Sequence, residues 1–144
     1  MTIIKEVKIK QTFMGKLSHG VDLFEEITKI CFENNITLGR VEALGAVKKA
    51  RLGFYDQIKR EYAFSEINKP LEITKLVGNI STKNEKPIIH AHITLSDEKD
   101  NAYGGHLAPG TIVFACELII QTFDGPEFSR GSDKETGLPL WDFG

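Results

Sequence analysis

The stretch KPIIHAHITLSDEKDNAYGGHL, residues 86–107, decides the fold of this chain. Residues 89–95 of this stretch alternate between apolar and polar side chains, which is the period of a half-buried β-strand. His90, His92 and Thr94 then share one face, because side chains two apart on a strand point the same way, and the apolar residues of the other face are expected in the core. A polar loop and Gly104–Gly105 follow, and they allow the chain to return antiparallel beside this strand.

Turn-forming residues separate further segments that are rich in β-branched and aromatic side chains. An alternating stretch at 5–13 predicts a first strand, and residues 21–33 show the three- and four-residue apolar spacing of a helix, which Asp22 and Glu25 could cap. The other predicted strands are 37–47, 50–56, 60–67, 71–82, 86–95 and 111–123. The predicted fold class is α+β: a largely antiparallel, curved β-sheet with one main α-helix packed on it, in a single compact domain covering residues 1–144.

The composition narrows the class of protein. Of 144 residues, 41% are hydrophobic and 26% are charged, and no apolar run approaches the roughly 20 residues of a membrane helix. The N-terminus lacks the apolar stretch of a signal peptide, so we expect a cytoplasmic protein without membrane contact. A formal charge of −2 disfavours nucleic-acid binding, which would require a local basic patch. Cys31 and Cys116 lie among apolar neighbours and are expected to pack in the core.

His90, His92 and His106 form the candidate metal site. The Cα atoms of the first two would lie roughly 6.5 Å apart on a strand, so both rings could reach one ion. If residues 104–107 return beside that strand, His106 completes a set of three imidazoles with a fourth position open, as in catalytic zinc sites. The competing interpretation is a group of solvent-facing histidines. His19, at the helix entrance, is expected to cap the helix or face solvent.

Glu117 and Arg40 are the candidate catalytic residues. Glu117 interrupts the apolar run 111–123, where burial of a carboxylate is costly unless it is paired. It could therefore act as an acid or base. A salt bridge with Arg40 or another cation explains its position equally well. Arg40 and Glu42 share a strand face, so they could form an ion pair, bind an anion or orient a histidine. The loop SDEKDN (96–101) lacks calcium-loop spacing and is expected to be a solvated turn. Nucleotide-hydrolase and serine-hydrolase motifs are absent.

Four segments together resemble the plants-and-prokaryotes-conserved (PPC) domain family: GRVEAL (39–44), HAHITLSD (90–97), GGHLAPG (104–110) and TGLPLW (136–141). The first is similar to the family's Gly-Arg-Phe-Glu segment, with Val41 in place of Phe, and the third to its Gly-Gly-His-Val signature. The resemblance implies a stand-alone prokaryotic type of the domain, usually a homotrimer, some members of which look able to bind a metal at the three histidine positions. The fold it implies is similar to that of acetolactate decarboxylase. The Arg-Gly-Arg-Pro AT-hook of the plant proteins is absent, which argues against sequence-directed minor-groove binding.

Three hypotheses about function follow. The first is a homotrimeric metal-binding protein that holds Zn2+, or another divalent transition metal, on the three histidines. The second is a metal-dependent hydrolase or decarboxylase that acts on a small carboxylate-bearing molecule, with Arg40 as anion anchor and Glu117 as acid or base. The third is a DNA-associated or protein-interaction module in which the sheet and the subunit interface act and the histidines are secondary.

Overall fold

The computed structural model describes residues 1–144, which form nine β-strands and one α-helix. In chain order the elements are β1 (Lys8–Leu17), α1 (Leu23–Glu33), β2 (Gly39–Asp56), β3 (Glu61–Ile67), β4 (Leu71–Lys83), β5 (Lys86–Ser96), β6 (Ala102–Leu107), β7 (Ile112–Asp124), β8 (Ser129–Ser132) and β9 (Pro139–Asp142). All strand pairs are antiparallel except β4 with β8, which meet in parallel at Thr82 and Ser129. The predicted α+β class, with a largely antiparallel sheet and one helix, is confirmed.

β2 is the longest strand, with 18 residues, and it joins the two parts of the sheet. Its first half pairs with β4 on one edge and β7 on the other, while its second half pairs with β3 and β6. β5 lies between β4 and β6. The path β2–β4–β5–β6 therefore returns to β2, and the curved sheet closes on itself. The histidines lie on the two strands, β5 and β6, that complete this closure.

The predicted break between residues 47 and 50 is not a chain reversal. The register against β7 shifts between Ala46 and Val47 and again between Val47 and Lys49, so the strand bends without ending. A third irregularity lies at Gly45, which has a φ of 144°. A Cβ at this position would lie 2.1 Å from the carbonyl oxygen of Ala115, so only glycine allows β7 to approach this closely.

The helix α1 begins as the sequence predicts. Asp22 caps it by accepting a hydrogen bond from the backbone N–H of Glu25 at 3.1 Å. Its other carboxylate oxygen accepts from the N–H of Gly110 at 2.6 Å, which ties the helix start to the turn before β7. α1 packs against the inner face of β5, so the helix supports the strand that carries two of the histidines. α1 has eleven residues, and it is not long and apolar enough to cross a membrane.

The core lies between the helix and the inner face of the sheet, where 23 buried residues form one cluster. Cys31 and Cys116 are both buried in it as free thiols, as predicted. The C-terminal segment also docks, as predicted: β8 and β9 form a hairpin beside β4. Phe128 makes edge-to-face contacts with Trp141 and Phe143, each with ring centroids 5.0 Å apart, and these contacts hold the C-terminal segment together.

Candidate metal centre

The pairing of β5 with β6 brings the three histidines together. His92 lies directly opposite His106 in the antiparallel register, and His90 projects from the same face two residues earlier. The ring centroids are 5.1 Å apart for His90 and His92, 5.2 Å for His90 and His106, and 5.8 Å for His92 and His106. One nitrogen from each ring lies within 4.8 Å of the other two. The predicted return of the glycine-rich segment is therefore confirmed.

The arrangement of the nitrogens fits a metal ion. The Nε2 atoms of His90 and His92 are 3.3 Å apart. Two nitrogens bound tetrahedrally at about 2.1 Å from one zinc ion would be separated by about 3.4 Å. The buried Nδ1 of His106 has no hydrogen-bond partner, which is uncommon for a buried polar atom.

Burial also sets the protonation state of the cluster. It lowers the pKa of His90 to about 4, and the neighbouring His106, Arg130 and His92 act in the same direction, because each would repel a proton on His90 when it is charged. It lowers the pKa of His106 as well, with a further contribution from His92. Both imidazoles are consequently neutral at pH 7, which is the form that binds a metal.

Arg130 and Asn79 border the cluster, and no sequence pattern pointed to either residue. Asn79 faces His90 across the β4–β5 pair, and its Oδ1 accepts a hydrogen bond from Nη2 of Arg130 at 2.7 Å. Nη1 of Arg130 donates to the carbonyl oxygen of Pro139 at 2.8 Å. The arginine reaches the site because the C-terminal hairpin pairs with β4, a long-range contact that no local sequence pattern encodes. The segment was predicted to dock, but not where.

Tyr62 packs against the cluster from another side. Its ring centroid lies 4.7 Å from that of His106, and burial raises the pKa of its phenol, so the hydroxyl is protonated at neutral pH. Gly53 pairs with His106 and makes this contact possible. A Cβ on Gly53 would lie 3.2 Å from ring carbons of both Tyr62 and Phe64. The alternation of aromatic residues in β3 could have suggested this packed face, but not its histidine partner.

Arg40 lies beside the histidines, as the sequence suggested. It lines an open cleft of about 340 Å³ together with His90, His92 and Asn79. Its guanidinium is already engaged, because Nη2 donates to a carboxylate oxygen of Glu42. Of the three roles that their shared strand face allowed, the structure shows the ion pair.

Glu117 is not brought to the histidines. It is exposed on the outer face of β7, between buried Cys116 and Leu118, and its place in an apolar run reflects the two faces of the strand. It lines a separate cleft of about 700 Å³ with Lys16, Glu42 and other residues, and none of the three histidines borders this cleft. No salt bridge joins Glu117 to Arg40.

Known proteins match this architecture closely. A metal-containing protein from Archaeoglobus fulgidus superposes with a TM-score of 0.92 at 38% sequence identity, covering 97% of this chain and 99% of that one. A plant- and prokaryote-conserved (PPC) protein from Pyrococcus horikoshii also gives a TM-score of 0.92, at 28% identity, over 98% of this chain and 97% of that one. Alpha-acetolactate decarboxylase from Bacillus subtilis is similar in fold alone, with a TM-score of 0.53 at 13% identity, over 86% of this chain and 57% of that one.

A curated relative and a family model match by sequence. The bifunctional protein GlmU of a Synechococcus species is 32% identical over 125 residues, which is 85% of this chain but 18% of the relative. This chain therefore spans less than a fifth of that protein's length. The model of the Plants and Prokaryotes Conserved (PCC) domain, abbreviated PPC above, matches residues 4–124. The chain belongs to the Plants and Prokaryotes Conserved domain family.

Proposed function

We propose that this protein binds one divalent transition metal ion per chain through His90, His92 and His106, and that the ion is zinc. The observation that carries the proposal is the convergence of three imidazole nitrogens within 4.8 Å of one another, two of them on rings that burial keeps neutral. Neutral imidazole is a preferred ligand of zinc. The relative from Archaeoglobus fulgidus, which is described as metal-containing, supports the proposal.

The site favours an exchangeable ligand over a purely structural role. Three histidines leave one tetrahedral position without a protein ligand, and the cleft that contains Arg40 opens directly beside His90 and His92. A bound zinc ion would supply Lewis acidity and a more acidic coordinated water. As a second candidate function we propose metal-dependent hydrolysis or decarboxylation of a small carboxylate-bearing molecule. Glu117 has no part in it, because it lines a different cleft.

We also propose that the protein is a homotrimer. Three exposed apolar side chains, Met14, Ile119 and Val77, lie on one register line across the outer face of the sheet, which Glu42 crosses between Ile119 and Val77. Val77 in turn pairs with His92. Leu44 extends this apolar strip on the same face, with 58% of its surface exposed. Monomeric proteins seldom leave several large apolar side chains exposed together on one face. A further copy of the chain would cover it and bring a neighbouring subunit close to the histidines.

Elemental analysis of untagged protein tests the metal site. We expect about one equivalent of zinc per chain in the wild type and less than about a tenth of an equivalent in His92→Ala, because the two remaining imidazoles hold an ion much less firmly. His19→Ala is the matched control, since His19 is the fourth histidine and its Nδ1 lies 2.8 Å from the carbonyl oxygen of Phe114, outside the cluster. The proposal fails if wild-type protein dialysed against zinc holds none, or if His92→Ala holds as much as His19→Ala.

A further inference from the structure

Arg130 carries a charge that the protein does not neutralise. Its side chain is half-buried, and no carboxylate lies within salt-bridge distance of it. Its contacts are the neutral oxygens of Asn79 and Pro139 and the ring of Trp141, whose centroid is 5.6 Å from the guanidinium carbon. Its Nε is buried without a hydrogen-bond partner. A partly buried cation without a counter-charge is costly, so this position favours an anion.

The other arginine at the site is already neutralised. Arg40 forms an ion pair with Glu42, whereas Arg130 has no acidic partner. Arg130 and His90 line the same cleft, so the positive charge of Arg130 lies close to the histidine cluster. A divalent ion on three neutral imidazoles would add two further positive charges beside it. An anion near Arg130 would then be attracted by both centres.

A cleft joins Arg130 to the metal site. It has a volume of about 430 Å³, within the range of about 300–1,000 Å³ that small-molecule sites occupy. His90, Asn79 and Arg130 provide its polar side, while Leu140 and Trp141 are among the apolar residues that line it. It is distinct from the cleft that contains Arg40, with His90 and Asn79 bordering both. A ligand in this cleft can therefore contact the guanidinium, an apolar wall and the neighbourhood of the ion together.

We propose that this cleft binds the carboxylate of a small organic acid, with Arg130 as the anion anchor and Trp141 as part of the apolar wall. The inference rests on the proposed metal site for the second contact of the ligand and assigns its substrate class. It replaces Arg40, which the sequence suggested, by a residue on the C-terminal hairpin.

The same cleft disfavours a doubly charged ligand. Asp133 lies in its lining, and hydrogen bonds from the hydroxyl and N–H of Thr136 hold the pKa of that carboxyl below its usual range. Asp133 is therefore ionised at neutral pH and repels additional negative charge. A monocarboxylate with a short apolar chain fits this lining better than a phosphate.

Titration of zinc-loaded protein with butyrate tests the proposal, and Trp141 reports it as the only tryptophan of the chain. We expect butyrate to shift the Trp141 indole N–H resonance and fluorescence saturably. Uncharged butyramide should bind at least about tenfold more weakly, because it cannot form a charge-assisted hydrogen bond with Arg130. Inorganic phosphate should also bind at least about tenfold more weakly, because its additional negative charge is repelled by Asp133. The proposal is overturned on wild-type protein alone if butyrate and butyramide bind equally well, or if phosphate binds more tightly than butyrate.

Two variants locate the anion. Arg130→Gln should raise the dissociation constant of butyrate about tenfold or more while zinc content and melting temperature stay near those of the wild type, and Arg40→Gln should change it by less than about twofold. If Arg40→Gln weakens butyrate binding more than Arg130→Gln does, the anion binds at Arg40 and the proposal is overturned.

Two further measurements distinguish failure of the metal site from failure of the anion site: elemental analysis, and a butyrate titration of chelator-treated protein. Absence of zinc from the wild type refutes the metal site, whereas butyrate binding that is indifferent to Arg130 in both preparations refutes the anion site.

Discussion

At the scale of single residues, Gly53 determines how closely an aromatic ring approaches the metal site. Tyr62 and Phe64 both lie over the position where a side chain on Gly53 would project, and the Cβ of His106 is 3.4 Å from that position. The ring of Tyr62 consequently rests on the imidazole of His106 and limits its rotation. A histidine that is held in one orientation binds a metal with less loss of conformational entropy.

Gly53→Val should therefore weaken both the fold and the metal site. The added side chain overpacks against Tyr62 and Phe64, and we expect a loss of about 1–3 kcal/mol in the free energy of unfolding together with weaker zinc binding. Urea unfolding and competition with a chromogenic chelator measure the two effects. Gly15→Val is the matched control, because a Cβ on Gly15 in β1 has no neighbour within 4 Å. Equal effects of the two variants would contradict the packing role of Gly53.

The residues of the site differ in how far sequence could predict them. His90 and His92 follow from the two-residue period of a strand, and Arg40 with Glu42 follows from the same rule. His106 required only a short return, which its two glycines suggested. Arg130 could not be predicted, since it depends on where a distant hairpin docks. Glu117 shows the opposite case: a carboxylate in an apolar run predicts a functional or paired residue, but here it marks the exposed face of β7.

At the scale of elements, the loop between β5 and β6 is held by one buried carboxylate. The side chain of Asp97 is 2% exposed and accepts hydrogen bonds from the Lys69 ammonium at 3.0 Å and the Tyr103 hydroxyl at 2.9 Å. It also accepts from the backbone N–H groups of Lys99 and Asn101 and from the Asn101 side-chain amide. Residues 98–101 are exposed, as expected of a solvated turn, but Asp97 at the start of the turn is buried and orders it. This turn fixes the register of β6 and thereby the position of His106.

Asp97→Asn should lower stability in a manner that depends on pH. Burial alone would raise the pKa of Asp97, but its hydrogen bonds, that of Lys69 foremost, hold it well below its usual range. A carboxylate with a depressed folded-state pKa stabilises the fold above its unfolded pKa of about 4, and this contribution is lost as the pH falls further. The stability gap between wild type and Asp97→Asn should therefore be widest near pH 7 and narrow progressively below about pH 4.

Chemical denaturation across pH measures this gap. Asp100→Asn in the same loop is the control, because the Asp100 side chain is exposed and only its backbone N–H bonds to Asp97. A gap that is constant with pH, or an equal loss in Asp100→Asn, would show that Asp97 does not act through its charge.

The strands show why local periodicity predicts some elements and not others. β5 and α1 have one buried face each, so their periods of two and of three to four residues are visible in the sequence. β2 changes partners halfway along, and its register against β7 shifts on either side of Val47. The charged residues that follow resemble the end of a strand. Bulges depend on the approach of β7 rather than on local residues, so two strands were predicted where there is one.

At the scale of the whole molecule, the outer face of the sheet links the apolar strip to the metal site. Ile119, Glu42, Val77, His92 and His106 are successive partners across five strands, so they form one continuous line. A subunit that covered the apolar end of this line would lie beside its histidine end. Assembly and metal binding should therefore be coupled, each stabilising the other by mass action.

Light scattering on size-exclusion eluate tests this arrangement. We expect the wild type to have three times the 16.1 kDa mass of one chain. Leu44→Lys should shift the population toward monomer, because a charge in an apolar interface must be desolvated without a partner. Phe32→Lys is the matched control: Phe32 is 53% exposed and belongs to α1, which covers the opposite face of the sheet. A wild type that is monomeric, or a Leu44→Lys variant that stays as large as Phe32→Lys, would exclude assembly through this face. If coupling holds, Leu44→Lys also retains less zinc on dilution than Phe32→Lys, although neither residue touches a histidine.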